Sequence, residues 1–468
     1  MNAHFAFRSL GGTGYTCHVM GFGCYRIADG SATHEKALEK YLNFGGNLID
    51  TSANYGDGLS EILIGKVLKR IDRSRSIVVT KGGYIQGQNM RLAQEMDFPE
   101  VVKYGDGLWH CIHPEFLKTQ IDRSLRRMQL DYGDVFLLHN PEYYINHAAQ
   151  TQPITESVLD EFYRRIQTAF QYLETEVQTG RIRYYGISSN NFGLHEKDRA
   201  RTSVKRALEK AEQISAGHHF RVVQLPMNVY ESGGALYPTH DGKSVLQFCK
   251  DNGIGVLLNR PLNAFYQGKL YRLADYVKPG REKPDENFLD NLLQPLQMLE
   301  NECIRTFDGE AFGQKGEGLA AYLKYIALDL PSPDYWNGVM DQYIVPPVTQ
   351  WMRRGAELHN VHPQWNDWQN RFIRTINETL EGIEKFLYTS NQPVSDRIRT
   401  NLYRAGYPES AETLSRIAMA LLAQLDGVSC VLNGMRTSEY VDDAMGVPSM
   451  PAVESLPILQ RFQSFTDI

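Results

Sequence analysis

Four side chains of complementary chemistry close or follow short apolar runs. Asp50 ends Asn47-Leu-Ile-Asp50 and Tyr55 follows in Asp-Thr-Ser-Ala-Asn-Tyr-Gly, while Lys81 ends Ile77-Val-Val-Thr-Lys81 and His139 ends Val135-Phe-Leu-Leu-His139. A tyrosine phenol, with a pKa near ~10, is a slow acid or base at neutral pH, and a neighbouring ammonium favours the phenolate and lowers that value. A carboxylate would hold the ammonium charged and oriented, and an imidazole can bond a reacting oxygen or lengthen the proton path. Together the four suit proton exchange with an oxygen while hydride arrives at, or leaves, its carbon. This chain also has 26 tyrosines and 13 histidines, so joint placement, not residue type, carries the argument.

That placement depends on the elements. Runs at 18–23, 46–52, 76–82, 134–139, 183–189, 221–225, 253–258 and 428–434 are apolar with little alternation, as in strands covered on both faces. Amphipathic stretches at 34–45, 59–71, 114–128 and 158–177 lie between them, a rhythm that predicts a parallel α/β sheet with crossover helices. Eight strands would close a (β/α)8 barrel. An open dinucleotide-binding sheet would carry a glycine fingerprint after its first strand; the nearest match, Gly316-Glu-Gly318-Leu-Ala-Ala321, follows no strand and reads as a loop entering a helix. In a barrel, polar residues at C-terminal strand ends face the active-site mouth, so Asp50, Lys81 and His139 would meet Tyr55 at one rim.

Residues 265–410 break the rhythm. They are long, aromatic and helical in character, and read as an insertion between the seventh and eighth strands, packed on a barrel formed by 1–264 and 411–468. Pro331, Pro333, Pro346, Pro347 and Pro363 are expected to divide it into short helices rather than one rod.

A net charge of -6 gives no reason to expect nucleic-acid or anionic-membrane partners, and a small molecule fits better. Six scattered cysteines form no CxxC pair, the opening residues lack a secretion signal, and no window is apolar enough to cross a bilayer, so a cytoplasmic address is expected. His34-Glu35 and His195-Glu196 lack the second histidine of a helical zinc motif, with Leu38 and Arg199 in its place, and no metal is expected.

The segments LIDTSANYGDGLSEILIGKVLK, IVVTKGG, DVFLLHNPE, YYGISSNNF, VVQLPMNVYE and VLLNRPLNA resemble, in order, the signatures of the aldo-keto reductase superfamily. The resemblance runs from residue 8 to about 264 and resumes from about 412 to 446, leaving the insertion uncovered. It implies an NADP(H)- or NAD(H)-dependent oxidoreductase interconverting a carbonyl compound with its alcohol, NADP(H) being favoured, with Tyr55 as general acid and Asp50, Lys81 and His139 completing a tetrad. Ser188 and Gln224 match the family's carboxamide contacts, Ser189 adjoins them, and Gly23-Cys24 occupies the segment approaching the cofactor. Gly434, Arg436, Tyr440 and Asp443 fall in the loop and helix start that hold the adenosine phosphate, where helix N–H groups and a bidentate arginine suit a 2′-phosphate.

The chain departs from the family at three places. Ser188-Ser189 precedes Asn190 where many members end the strand Ser-Asn; Asn259-Arg260-Pro261-Leu262 offers no ring to stack on nicotinamide, leaving Arg260 and Leu262 on the cofactor side; and Asp443-Ala444 replaces Glu-Asn. Some barrels of this type resemble channel accessory subunits. The alternative expectation is therefore a cofactor-sensing interaction protein with the aromatic insertion as its partner surface.

Overall fold

The computed structural model describes residues 6–277, 285, 287–307, 312, 317–330, 333–359 and 362–465. Eight of the apolar runs become strands: β1 Met20–Gly23, β2 Leu48–Asp50, β3 Ile77–Gly82, β4 Gly133–His139, β5 Ile182–Ser188, β6 Phe220–Pro226, β7 Gly255–Asn259 and β8 Cys430–Asn433. They pair in sequence order, all parallel, and β8 closes on β1 to complete a barrel. This is the (β/α)8 architecture expected from the sequence.

The pleat's period of two sets what the barrel holds. Leu48, Ile77, Val79, Val135, Leu137, Val222, Leu257, Cys430 and Leu432 form one apolar cluster inside it, joined by Leu10 and Cys17. Leu10 and Cys17 come from an N-terminal hairpin, Phe7–Ser9 paired with Thr16–His18, whose connecting turn donates from the Gly12 amide to the Gly253 carbonyl (2.7 Å) just before β7. The hairpin therefore plugs the N-terminal end of the barrel, away from the strand ends that carry the polar residues. Gly186 is required where β5 meets β6: a Cβ there would stand 1.7 Å from the Val222 carbonyl oxygen.

Six helices are crossovers between these strands: α1 Ala32–Asn43, α2 Leu59–Leu68, α3 Pro114–Met128, α4 Glu156–Gln178, α5 Val204–Glu212 and α6 Val245–Asp251. Ser31, Thr155, Ser203 and Ser244 cap α1, α4, α5 and α6 by accepting a first-turn N–H, and Pro114 opens α3 where no N–H is needed. The loop after β3 grows into a small three-stranded antiparallel sheet, Tyr84–Ile85, Val102–Gly105 and Leu108–His110.

Residues through Ala274 and from Thr400 onward form one compact unit, and Asp275–Arg399 form a second. The second contains α7 Phe288–Phe307, α8 Leu319–Asp329, α9 Val345–His359 and most of α10 Trp365–Arg404, and the chain returns through α11 Leu414–Ala423 to β8 and α12 Ser438–Met445. The expectation of short helices is corrected here, because α10 runs 40 residues without interruption at its internal Pro393, and α7 likewise contains Pro295. Pro346 and Pro347 lie just after a π-helical turn, Met340–Ile344, which continues the helix begun at Trp336 and runs directly into α9. Gly318 caps the start of α8 at φ 85°, as a loop entering a helix should; Gly316 and Pro331 lie outside the described residues. Trp336, Trp365 and Trp368 are buried in this unit's own core, with the Trp368 indole donating to the Leu299 carbonyl (2.9 Å).

Candidate active site

One step along each strand beyond the apolar layer, the same inward face turns polar. Leu48 is followed two residues later by Asp50, Val79 by Lys81, Leu137 by His139, Gly186 by Ser188, Val222 by Gln224 and Leu257 by Asn259. Register aligns them across the sheet: Ser188 sits opposite His139 on one side and Gln224 on the other. The barrel thus presents a polar ring at its C-terminal mouth above a dry floor.

Lys81 is fully buried, and its ammonium donates to Asp50 Oδ2 (2.8 Å), to the Thr51 carbonyl (2.9 Å) and to the Tyr55 hydroxyl (3.4 Å). Tyr55 enters on a 3-10 turn, Tyr55–Gly58, whose left-handed Gly56 and Gly58 bend the chain back toward the barrel. Its ring lies edge-on to His139 at 6.0 Å and to the exposed Tyr25 at 5.2 Å. His139 Nδ1 shares a hydrogen bond with Ser52 Oγ (2.9 Å), and Tyr84 packs on its ring at 4.6 Å. Cys24 is buried within electrostatic reach of Asp50, Lys81 and Tyr55, its thiol kept neutral by burial.

Burial pushes the Asp50 carboxyl up and the Lys81 ammonium down, and each partner's charge opposes the shift of the other. Burial raises the Tyr55 phenol well above its usual value, and the Asp50 carboxylate adds to the rise. This corrects the expectation that Lys81 would lower it: burial outweighs the ammonium, although Lys81 reaches the phenol oxygen. Tyr55 is therefore a neutral acid with its oxygen accepting from Lys81 and, among the described residues, no acceptor for its own hydrogen. Burial, the Lys81 charge and His110 hold His139 well below the ordinary imidazole value, so that ring is neutral too.

The far side of Asp50 is an ordered amide chain. Asp50 Oδ1 can only accept, so Gln224 must present Nε2 to it (2.8 Å), and Gln224 Oε1 then faces Ser188 Oγ (3.2 Å) and Asn259 Nδ2 (3.1 Å). Ser188 and Asn259 both spend a donor on Gln224. Asn259 keeps its second N–H, and its Oδ1 is buried with no hydrogen-bond partner among the described residues.

The other sequence-predicted residues divide. Gly23 ends β1 where a Cβ would stand 3.2 Å from the Asn433 carbonyl oxygen, and Gly434 is exposed in the loop after β8. Arg436 stands 5.9 Å from the Tyr440 ring at the start of α12, whose Thr437 cap accepts the Tyr440 N–H. Ser189 faces out of the ring, bonding Thr202 Oγ1 (3.0 Å) and the Asn191 amide. Asp443 is committed to Thr413, Ser415 and Arg416 at the start of α11. Arg260, at φ 53°, is paired with Glu231 (2.8 Å), and Leu262 is buried beside it in sequence. Sequence reasoning passed over Ser52, Asn259 and Tyr84. Only Asn259 carried a signal, its two-residue spacing from Leu257.

A family model described as the Aldo/keto reductase family matches residues 19–312. The chain belongs to that family. This aldo/keto reductase is 26% identical over 308 residues to the NADH-specific methylglyoxal reductase of Escherichia coli (strain K12), covering 62% of this chain and 78% of that one. It is 31% identical over 192 residues to L-galactose dehydrogenase of Arabidopsis thaliana, covering 39% and 47% respectively. It thus spans about half to four-fifths of these curated relatives. Among solved structures it is similar to the glycerol dehydrogenase of Gluconobacter oxydans, at 13% identity and TM-score 0.48 over 98% of this chain and 95% of that one. It is also similar to an aldo/keto reductase from Klebsiella pneumoniae in complex with NADP and acetate, at 15% identity and TM-score 0.45 over 96% and 93%. Aldo/keto reductases are oxidoreductases, and so is this chain.

Proposed function

We propose that this chain reduces a small aldehyde, ketone or sugar carbonyl, or oxidises the matching alcohol, with NADP(H) or NAD(H), using Tyr55 as the general acid and base. The observation that carries the reading is the line Asp50–Lys81–Tyr55 at the barrel mouth, its ion pair buried and its phenol partly exposed.

The cofactor fits the residues present. Ser188 and Asn259, tied through Gln224 to Asp50, keep both accepting and donating capacity, and a primary carboxamide carries both an acceptor and two N–H donors. When bound, a nicotinamide supplies or takes the hydride. Everything else is done by side chains. Tyr55, protonated by its environment, holds the substrate oxygen and gives it the proton as charge develops there; the phenolate left behind is received by Lys81, whose ammonium already points at that oxygen. Asp50 keeps Lys81 in place, and the neutral His139 ring packs beside Tyr55, where it orients the substrate oxygen.

Gln224→Leu removes the link between Asp50 and the Ser188 and Asn259 side chains, so the Kd for NADPH should rise about tenfold, the worth of one or two buried hydrogen bonds. Titration of cofactor fluorescence checks this, and unchanged affinity would remove Gln224 from the site. Arg436→Ala should weaken NADPH by roughly ten- to a hundredfold, as for a hydrogen bond between charged groups, and leave NADH nearly untouched. Equal losses for both cofactors would show that Arg436 reads no 2′-phosphate.

The cysteines described are all free of disulfides and buried, which supports a cytoplasmic address; no described helix is long and apolar enough to cross a membrane. The interaction-protein alternative gains nothing from the insertion's tryptophans: Trp336, Trp365 and Trp368 fill a core instead of facing outward.

A further inference from the structure

Glu142 is a buried carboxyl that the mechanism above does not use. It lies three residues beyond His139, is 2% exposed, and accepts the Asn190 amide at Oε1 (2.7 Å). Its other oxygen, Oε2, is buried without a well-formed hydrogen bond among the described residues, although the Ser189 hydroxyl is near enough to favour the charged form. The residues it touches are the turn that ends β5. That turn is pinned to the site from both sides, because the Asn140 amide donates to the Ser188 carbonyl (2.7 Å) and the Ser188 hydroxyl donates to Gln224.

Burial pushes the carboxyl up to about 7, opposed by hydrogen bonds from Asn190, from its own backbone and from Ser189. From the small sheet after β3, Tyr84 feels its charge, and burial keeps that phenol protonated. The nearby imidazoles His110 and His139 are held neutral by burial, so neither gains or loses a proton near neutrality.

We propose that Glu142 is a positioning residue whose buried carboxyl braces the Ser188–Asn190 turn through the Asn190 amide, so that cofactor binding at this mouth is coupled to its protonation. The inference rests on the reading of this mouth as a nicotinamide site. The sign follows from electrostatics: an anionic cofactor that covers the turn and excludes water makes a buried carboxylate less favourable still. Binding therefore favours the protonated form and draws a proton from solution.

The test uses the full chain and NADH, which lacks the 2′-phosphate and its own titration near neutrality. The Kd for NADH, followed by fluorescence from pH 5.5 to 8.5, should be flat in acid and climb above neutrality by up to about tenfold per pH unit, the limit for one linked proton. Glu142→Gln should hold the acidic value at every pH. Calorimetry of the unaltered protein at pH 7, in two buffers of different ionisation heat, should show uptake of a fraction of a proton on binding, and it decides the matter if the variant does not fold. A flat wild-type profile without proton uptake, or an unchanged slope in Glu142→Gln, overturns the proposal and leaves the assignment of Tyr55 standing. Failure of NADH and NADPH to bind at any pH would instead overturn the nicotinamide reading, and this inference with it.

Discussion

Tyr55→Phe should lower kcat/KM for carbonyl reduction by about 10²–10⁴-fold, the usual contribution of a positioned general acid, while the protein stays folded and binds NADPH as before. The phenylalanine keeps the ring that packs against Tyr25 and His139 and deletes only the oxygen that Lys81 reaches at 3.4 Å. Because burial and Asp50 raise the phenol's pKa, the wild-type reduction rate should not fall between pH 7 and 9 through loss of the Tyr55 proton. Oxidation of the alcohol needs the same oxygen as a base, so its rate should rise with pH over that window. Steady-state rates in both directions with saturating cofactor give both results at once. A Tyr55→Phe enzyme that still turns over at the wild-type rate would place the proton donor elsewhere.

The barrel was legible because parallel strands covered on both faces leave an unmistakable trace, and all eight runs became strands. The polar mouth was legible for the same reason: once Leu48, Val79 and Leu137 are inside, the period of two puts Asp50, Lys81 and His139 inside as well. What escaped was pairing. Asp443 looked available to a ligand in sequence but is held by Thr413 and Ser415, about thirty residues earlier, and Ser189 is taken by Thr202 in the loop that follows it. The direction of the Tyr55 shift escaped too, since it is set by burial, which no spacing of Tyr55 and Lys81 reveals. In the insertion, five prolines were weighed as breakers, yet Pro346 and Pro347 follow a π-helical turn that runs straight into α9, and α10 carries Pro393, which was not weighed, within its length.

Lys81→Met should cost more stability than any other single change in the polar ring, about 3–5 kcal/mol, because it strands a carboxylate that is 4% exposed with Gln224 as its remaining donor. The stranded Asp50 can escape only by taking up a proton. Its folded-state pKa would then lie further above the unfolded value of about 3.9, so the variant should approach wild-type stability at low pH and lose it as pH rises through the folded pKa. Denaturant melts from pH 4 to 8 read this directly, and the gap between variant and wild type should widen upward. Adding Asp50→Asn removes the buried charge and should recover much of the loss, since a neutral amide still accepts from Gln224. Turnover should not return with stability, because neither methionine nor asparagine can receive the charge that Tyr55 leaves behind. An active double variant would mean that the ion pair serves the fold alone. A Lys81→Met protein as stable as wild type at pH 8 would mean that Asp50 is not an anion in the native state.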